Sequence, residues 1–351
     1  MSARSGGIPV LNGIRALAVL IVFSSHASNI FFGGALTGFG GGQLGVMLFF
    51  ILSGFLMAFL YIEKVPDRAA QRAFVVNRMA RIYPMFFLVV IACFLANRLG
   101  LNLWVYPIKS VRDVGEHLLF IRGYEVLWTI GPEVIFYALF LVLWRLRDRK
   151  WILATFVSAL IGVAWLPMTL KTSNSIFELH EKLPYFFVGC ALGTGYSKLA
   201  GDICGNKGWT KSAVFWTCLA IFGASSPQAL RLILDVPKTL TGDPWPDPWA
   251  YPFYLLATAA VFVTAVIARP GILTNPTAIY VGNISFSFYL LHFAVLMNMR
   301  SIMPAHKLLS VALALLVTIL LSSVSYFFIE VPMRKLIRQV AGRRTVDYAL
   351  S

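Results

Sequence analysis

The first apolar segment of the chain, near residues 10–32, contains two ionisable side chains, Arg15 and His26. Such groups cost several kcal/mol inside a membrane unless they face a protein interior, so each is a functional candidate. On a helix, their spacing places them within about 20° of one face and about 16 Å apart. Arg15 could instead extend to the membrane interface, and His26 could be a core imidazole bonded to a carbonyl. Their shared face favours a joint site.

A second candidate is the pair Arg78 and Arg81, which precedes an apolar segment near 82–97. Residues at positions i and i+3 share a helix face. Two guanidinium groups there could bind an anionic ligand through charge-assisted hydrogen bonds. The alternatives are a topology-setting cluster or a contact with lipid phosphate. With Arg15 near the same interface, a phosphate-rich donor substrate becomes a reasonable hypothesis.

Two further apolar segments carry polar side chains at helical spacing. Glu133 and Tyr137 are four residues apart, so they share a face, and Glu133 follows a proline. A substrate-binding role and a structural ion pair are equally good interpretations of Glu133. Tyr289 and His292 also share a face and could line a cavity as a hydrogen-bonded pair.

Other polar and small residues favour structural roles. Gly45 and Gly54 predict close helix packing, and Ser53 predicts a hydrogen bond between helices, since no base lies at a usable spacing. The loops 98–126 and 229–250 are either lids that dock an acceptor or turn-rich packing. Glu330 is interpreted as an interface anchor. The remaining histidines are interpreted as ordinary loop residues: His117, His180 and His306.

The composition indicates what holds these residues. Of 351 residues, 58% are hydrophobic and 13% charged, whereas a soluble domain carries about 25% charged residues. Apolar runs of membrane-spanning length recur, so we expect an all-α, polytopic membrane helix bundle with about ten transmembrane helices. The spans lie near 10–32, 43–62, 82–97, 127–145, 151–169, 183–199, 212–228, 251–268, 277–299 and 308–330.

Charge distribution predicts the orientation. Most of the 30 Lys and Arg residues fall on one side if the N-terminus is cytoplasmic, which places both termini in the cytoplasm. The net charge of +15 therefore reflects topology, and no nucleic-acid partner is expected. We expect a single domain over 1–351, with a transmembrane core near 10–330 and a short basic cytoplasmic tail at 331–351. No cysteine or histidine spacing indicates a metal site.

Six segments together resemble one known family, the integral-membrane acyltransferase family 3. They are the Arg15-to-His26 spacing, GVMLFFILSGFL at 45–56, RMARIYP at 78–84, LWTIGPEVIFY at 127–137, SFSFYLLH at 285–292 and FIEVP at 328–332. Members transfer acyl groups, often acetyl from acetyl-CoA, to hydroxyls of carbohydrates or glycosylated metabolites. The resemblance implies that His26 is catalytic, with Arg15 as its partner in the motif and Arg78 and Arg81 on the donor side. The family usually has Asp at the position of Asn12.

These observations lead to an expected function and an alternative. The chain is expected to be an O-acetyltransferase of the bacterial plasma (inner) membrane, with no bound cofactor. Its partners would be acyl-CoA as donor, a carbohydrate or glycolipid acceptor, and membrane lipids. Glu133, Tyr137, Tyr289 and His292 would line the path and orient the imidazole or the sugar. The alternative is a transporter or flippase for a lipid-linked sugar, which the lack of a visible internal repeat disfavours.

Overall fold

The computed structural model describes residues 8–149 except 36 and 39, together with 179–202, 208–234 and 250–341. Every regular element in these ranges is helical, which confirms the all-α prediction. A 3₁₀ helix spans Glu125–Thr129, and a π-helical turn spans Tyr326–Glu330. The helices are α1 Pro9–Phe32, α2 Gly41–Tyr61, α3 Arg68–Arg98, α4 Val111–Leu118, α5 Ile130–Leu146, α6 Leu179–Asp202, α7 Gly208–Ala224, α8 Pro227–Leu234, α9 Ala250–Ala268, α10 Gly271–Thr274, α11 Pro276–Ile302, α12 Lys307–Ser325 and α13 Val331–Val340.

The protein is an integral membrane protein. Within the described ranges, six helical segments are long and apolar enough to cross a membrane. Pro252–Ala268, which is part of α9, is a shorter apolar segment. The predicted span at 151–169 lies outside the described residues, so the count of about ten stays a prediction, as does the orientation. The six segments are Pro9–Phe32, Gly41–Tyr61, Arg68–Arg98, Glu125–Leu146, Pro276–Ile302 and Lys307–Val340.

The third span is longer than the apolar pattern predicts. The prediction began at residue 82, whereas α3 begins at Arg68, after the Asp67 side chain accepts a hydrogen bond from the Ala70 amide at 2.6 Å. Residues 68–81 include Ala, Arg and Gln, which are good helix formers, so the helix extends to the N-terminal side of its apolar part. Arg78 and Arg81 therefore lie in the middle of a continuous helix.

Close helix packing holds the centre of the bundle together. A Cβ atom at Gly54 of α2 would overlap the Phe186 carbonyl of α6, and one at Gly189 would overlap the Ile51 carbonyl of α2. Gly282 of α11 meets the Asn12 carbonyl of α1 in the same way. Small residues allow such approach in membrane helices. The prediction for Gly54 is confirmed, and the contacts fix α1, α2 and α11 around the site.

Candidate active site

The predicted polar residues of three helices line one cavity, here called the inner chamber. Arg15 comes from α1, Arg78 and Arg81 from α3, and Glu133 and Tyr137 from α5. Their convergence follows from the helical spacing of each pair, since every pair presents one face to the bundle interior. The apolar part of the wall consists of Val46, Phe49, Phe50, Leu52, Leu56, Met57, Ile82, Ile130 and Phe286.

The inner chamber carries an excess of positive charge. The side chains of Arg15 and Arg78 are 4% and 5% exposed, and the Nε atom of each is buried without a hydrogen-bond partner. Arg15 donates through Nη1 to the Asn12 Oδ1 atom at 2.7 Å. Three arginines in the wall face one carboxylate, Glu133. Buried cations need an anionic partner to offset their desolvation, so an anionic ligand would complete this chamber.

Glu133 is held by hydroxyl groups. The Ser53 Oγ atom donates to Glu133 Oε1 at 2.8 Å, and the Tyr137 Oη atom donates to the same oxygen at 2.5 Å. Ser53 therefore bonds between helices, as its lack of a nearby base predicted. Among the described residues Glu133 forms no salt bridge with an arginine, which leaves the carboxylate free to meet a ligand.

His26 lies in the wall of a second cavity, here called the outer chamber. Its wall is more polar than that of the inner chamber and includes Gln43, whose Oε1 atom is buried without a hydrogen-bond partner. Both chambers have Val46 and Tyr289 in their walls, so they adjoin at these two residues. The remaining wall of the outer chamber is formed by Val22, Ser25, Asn29, Gly40, Gly42, Gly123, Glu125, Val126 and Trp128.

His26 and His292 are in contact. The His26 Nδ1 atom lies 2.9 Å from the His292 Nε2 atom, although the two residues belong to α1 and α11. His292 is fully buried, and its Nδ1 atom lies 2.8 Å from the Tyr289 carbonyl oxygen. The helical spacing suggested that Tyr289 and His292 could line a cavity as a hydrogen-bonded pair. In the structure Tyr289 lies in the walls of both chambers. His292 lines neither chamber and forms a hydrogen bond with His26.

Part of the loop between α3 and α5 forms the wall beside His26. Gly123, Glu125, Val126 and Trp128 line the outer chamber, and Glu125 has a φ of 47°, a left-handed conformation that is uncommon for glutamate. The Trp104 amide donates to Asn298 Oδ1 of α11 at 2.8 Å, which fastens the loop to the helix that carries His292. The other loop considered, 229–250, lies mostly outside the described residues.

His117 is buried, although its place in a loop suggested an ordinary surface histidine. Its Nδ1 atom lies 2.7 Å from the Asp113 carbonyl oxygen, and its Nε2 atom accepts a hydrogen bond from the Tyr124 amide at 3.3 Å. His117 therefore connects α4 to the segment that lines the outer chamber. Burial lowers the pKa of the His117 imidazole, because removing water disfavours the charged form.

Glu330 is also buried, whereas the sequence suggested an interface anchor. It accepts a hydrogen bond from the Ser287 hydroxyl, and its Oε2 atom lies 3.5 Å from an Arg334 nitrogen. The π-helical turn that ends at Glu330 adds a residue to the helix repeat. Because an extra residue shifts the register of the face, the sequence pattern alone does not reveal that Glu330 points inward.

The fold and the site together define a class of protein: a polytopic membrane protein in which the inner chamber, with three arginines in its wall, adjoins the outer chamber, which contains His26. A family model for an acyltransferase domain, acyltransferase 3, matches residues 8–327, so the chain belongs to this family. No solved structure matches the chain.

Two curated proteins that are similar to this chain are named O-acetyltransferases, one of them as putative. The O-acetyltransferase OatA of Staphylococcus aureus strain NCTC 8325 is 25% identical over 369 residues, which cover 93% of this chain and 57% of that protein. A putative O-acetyltransferase of Staphylococcus aureus strain COL is 24% identical over 368 residues, with the same two shares, 93% and 57%. This chain thus spans little more than half the length of these relatives.

Proposed function

We propose that the protein is an O-acetyltransferase that moves an acetyl group from cytoplasmic acetyl-CoA to a hydroxyl of an envelope or exported carbohydrate, with His26 as the catalytic residue. One observation carries the proposal: a chamber lined by three arginines adjoins a chamber that contains His26, and both have Val46 and Tyr289 in their walls. The names of the relatives, O-acetyltransferases, favour acetyl as the transferred group and a hydroxyl as the acceptor.

The inner chamber suits the donor. The phosphates of acetyl-CoA would be bound by Arg15, Arg78 and Arg81, because the planar guanidinium group binds phosphate with paired hydrogen bonds. The pantetheine arm is a long flexible chain that would lead the thioester along the apolar wall toward Tyr289. Glu133, held by Ser53 and Tyr137, would face the amides of this arm.

The outer chamber suits a carbohydrate acceptor. Its wall provides amide and carboxylate groups in Asn29, Gln43 and Glu125, and an aromatic ring in Trp128. Sugars offer hydroxyl groups to such acceptors and an apolar ring face to indole. The buried Oε1 atom of Gln43 lacks a hydrogen-bond partner, and a ligand hydroxyl would satisfy it.

The reaction needs a base at the junction of the two chambers. His26 takes the proton of the acceptor hydroxyl while the hydroxyl oxygen bonds to the thioester carbon; the carbon–sulfur bond then breaks, and the proton passes to the sulfur of CoA. Alternatively His26 attacks the thioester first and forms an acyl-histidine, which the acceptor hydroxyl then resolves. Both routes convert a thioester and an alcohol into an ester and a thiol, and both require an unprotonated nitrogen on His26.

A transporter for a lipid-linked sugar is the competing proposal. It would also use polar groups inside the membrane, but it moves a substrate without acyl chemistry. Membership of an acyltransferase family favours the enzyme.

The test is transfer of radiolabelled acetyl from acetyl-CoA in inverted membrane vesicles that contain wild type, His26→Ala or His306→Ala at matched protein levels. His306 is exposed and lies outside both chamber walls, so it is the matched control. We expect label in the carbohydrate fraction for wild type and His306→Ala, and a loss of at least about 100-fold for His26→Ala. Substantial transfer by His26→Ala would refute the assignment of His26. CoA-independent movement of a lipid-linked sugar, with no label, would favour the transporter.

A further inference from the structure

The hydrogen bonds around His292 fix which of its nitrogens carries the proton. His292 Nδ1 lies 2.8 Å from the Tyr289 carbonyl oxygen and 3.2 Å from that of Phe288, one turn back along α11. A carbonyl oxygen only accepts hydrogen bonds, so Nδ1 must be the donor. In a neutral imidazole the other nitrogen is then an acceptor, and in His292 that nitrogen is Nε2.

The same reasoning continues to His26. Its Nδ1 atom lies 2.9 Å from His292 Nε2, and an accepting Nε2 requires a donating partner. His26 Nδ1 therefore carries a hydrogen, which leaves the lone pair on His26 Nε2. Among the described residues, His292 is the hydrogen-bond partner of the His26 ring. His26 contributes to the wall of the outer chamber, and His292 does not, so Nε2 is the nitrogen available to a substrate there.

We propose that His292 is a positioning residue that holds His26 in the Nδ1–H tautomer, with the Nε2 lone pair directed to the reacting groups. This inference rests on the proposed function, in which His26 is the base or nucleophile. An unconstrained imidazole exchanges between two tautomers, and the wrong one presents an N–H group where a lone pair is needed. The two backbone carbonyls therefore determine, through His292, which nitrogen of His26 can react.

The surroundings of the pair strengthen this control. The centroid of the His26 ring lies 5.1 Å from that of Phe293. The centroid of the His292 ring lies 6.1 Å from that of Phe288 and 6.3 Å from that of Phe23. These rings keep water from the buried side of the pair, and a hydrogen bond is electrostatically stronger in such a medium. Water therefore does not compete with His292 for the Nδ1–H group.

The arrangement also keeps the transferred proton close to the reaction. When His26 Nε2 takes the acceptor proton, the imidazolium donates a stronger hydrogen bond to His292 Nε2. In the part of the chain that the structure describes, the other hydrogen-bond partners of His292 are backbone carbonyls, which do not take up a proton at physiological pH. The proton therefore remains available to the sulfur of CoA as the carbon–sulfur bond breaks, so the hydroxyl proton ends on the thiol and the atoms balance.

Two variants of His292 separate positioning from packing. His292→Phe keeps the ring volume but removes the acceptor, so we expect kcat for acetyl transfer to fall by about 100-fold while KM for acetyl-CoA stays within about threefold. His292→Gln restores an acceptor oxygen near the position of Nε2, and we expect it to recover kcat to within about tenfold of wild type. Equal kcat for wild type and His292→Phe, or a change confined to KM, would overturn the proposal.

A second readout does not depend on catalysis. The chain has five histidines, so nitrogen NMR of protein labelled with ¹⁵N-histidine and embedded in lipid nanodiscs gives few signals, and His26→Ala identifies that of His26. We expect His26 in the Nδ1–H form in wild type and a mixture of both tautomers in His292→Phe. The Nε2–H form in wild type would refute the inference. If the tautomer is as expected but neither the wild type nor any variant transfers acetyl, the proposed function is refuted, whereas the hydrogen bond between His26 and His292 is confirmed.

Discussion

Replacing Arg78 with Gln tests whether the inner chamber binds the phosphates of acetyl-CoA. Arg78 is 5% exposed, and its Nε atom is buried without a partner. A hydrogen bond to a charged group contributes about 1.5–3 kcal/mol, and each 1.4 kcal/mol is a factor of ten. If Arg78 binds a phosphate of CoA, kcat/KM for acetyl-CoA should therefore fall by roughly 10- to 150-fold.

The assay compares two donors. S-acetyl-pantetheine carries the thioester and the arm but lacks the nucleotide phosphates, so its kcat/KM should change by less than about threefold in Arg78→Gln. Arg78→Lys keeps the charge but loses the planar fork, and we expect an intermediate loss with acetyl-CoA. Arg72→Gln is the matched control, because Arg72 lies on the same helix and is exposed. Equal losses with both donors, or none with acetyl-CoA, would show that Arg78 does not bind the phosphates.

Two further predictions concern stability. Gly54→Ala would push a methyl group into the Phe186 carbonyl, so we expect a loss of about 1–3 kcal/mol and a melting temperature several degrees lower in detergent. Gly223→Ala, which meets no atom within 4 Å, should have no such cost, and an equal loss in both would contradict the packing argument. The lowered pKa of His117 means that the folded protein binds fewer protons than the unfolded chain, so its contribution is complete above about pH 6.5 and is lost as the pH falls through the folded-state pKa. His117→Gln should reduce the drop in melting temperature between about pH 7.5 and pH 5.5, and an unchanged drop would refute this source.

The sequence predicted the parts of the site that follow helical spacing. Arg15 and His26 occupy neighbouring chambers along α1, and Arg78 and Arg81 converge with Glu133 because each helix presents one polar face inward. The recurring apolar segments of membrane-spanning length also predicted the all-α class. These features depend on local periodicity, which a sequence contains directly.

The features that the sequence could not provide depend on contacts between distant segments. The His26–His292 hydrogen bond joins residues whose separation along the chain gives no distance in space. Gln43 of α2 and Trp128 of the 3₁₀ helix both line the outer chamber, and no spacing rule predicts that two such distant residues share a wall. The buried state of Glu330 depends on a π-helical turn that changes which face points inward.

The proposed function requires that the donor binds in the inner chamber and that its acyl group passes Val46 and Tyr289 to reach His26. The most direct measurement is a cryo-electron microscopy structure with an acetyl-CoA analogue in which oxygen replaces the thioester sulfur. We predict that its phosphates contact Arg78 and Arg81 and that its acetyl carbon lies near the Nε2 atom of His26. Density for the nucleotide in the outer chamber, or for the acetyl group at a place that His26 does not reach, would contradict the account.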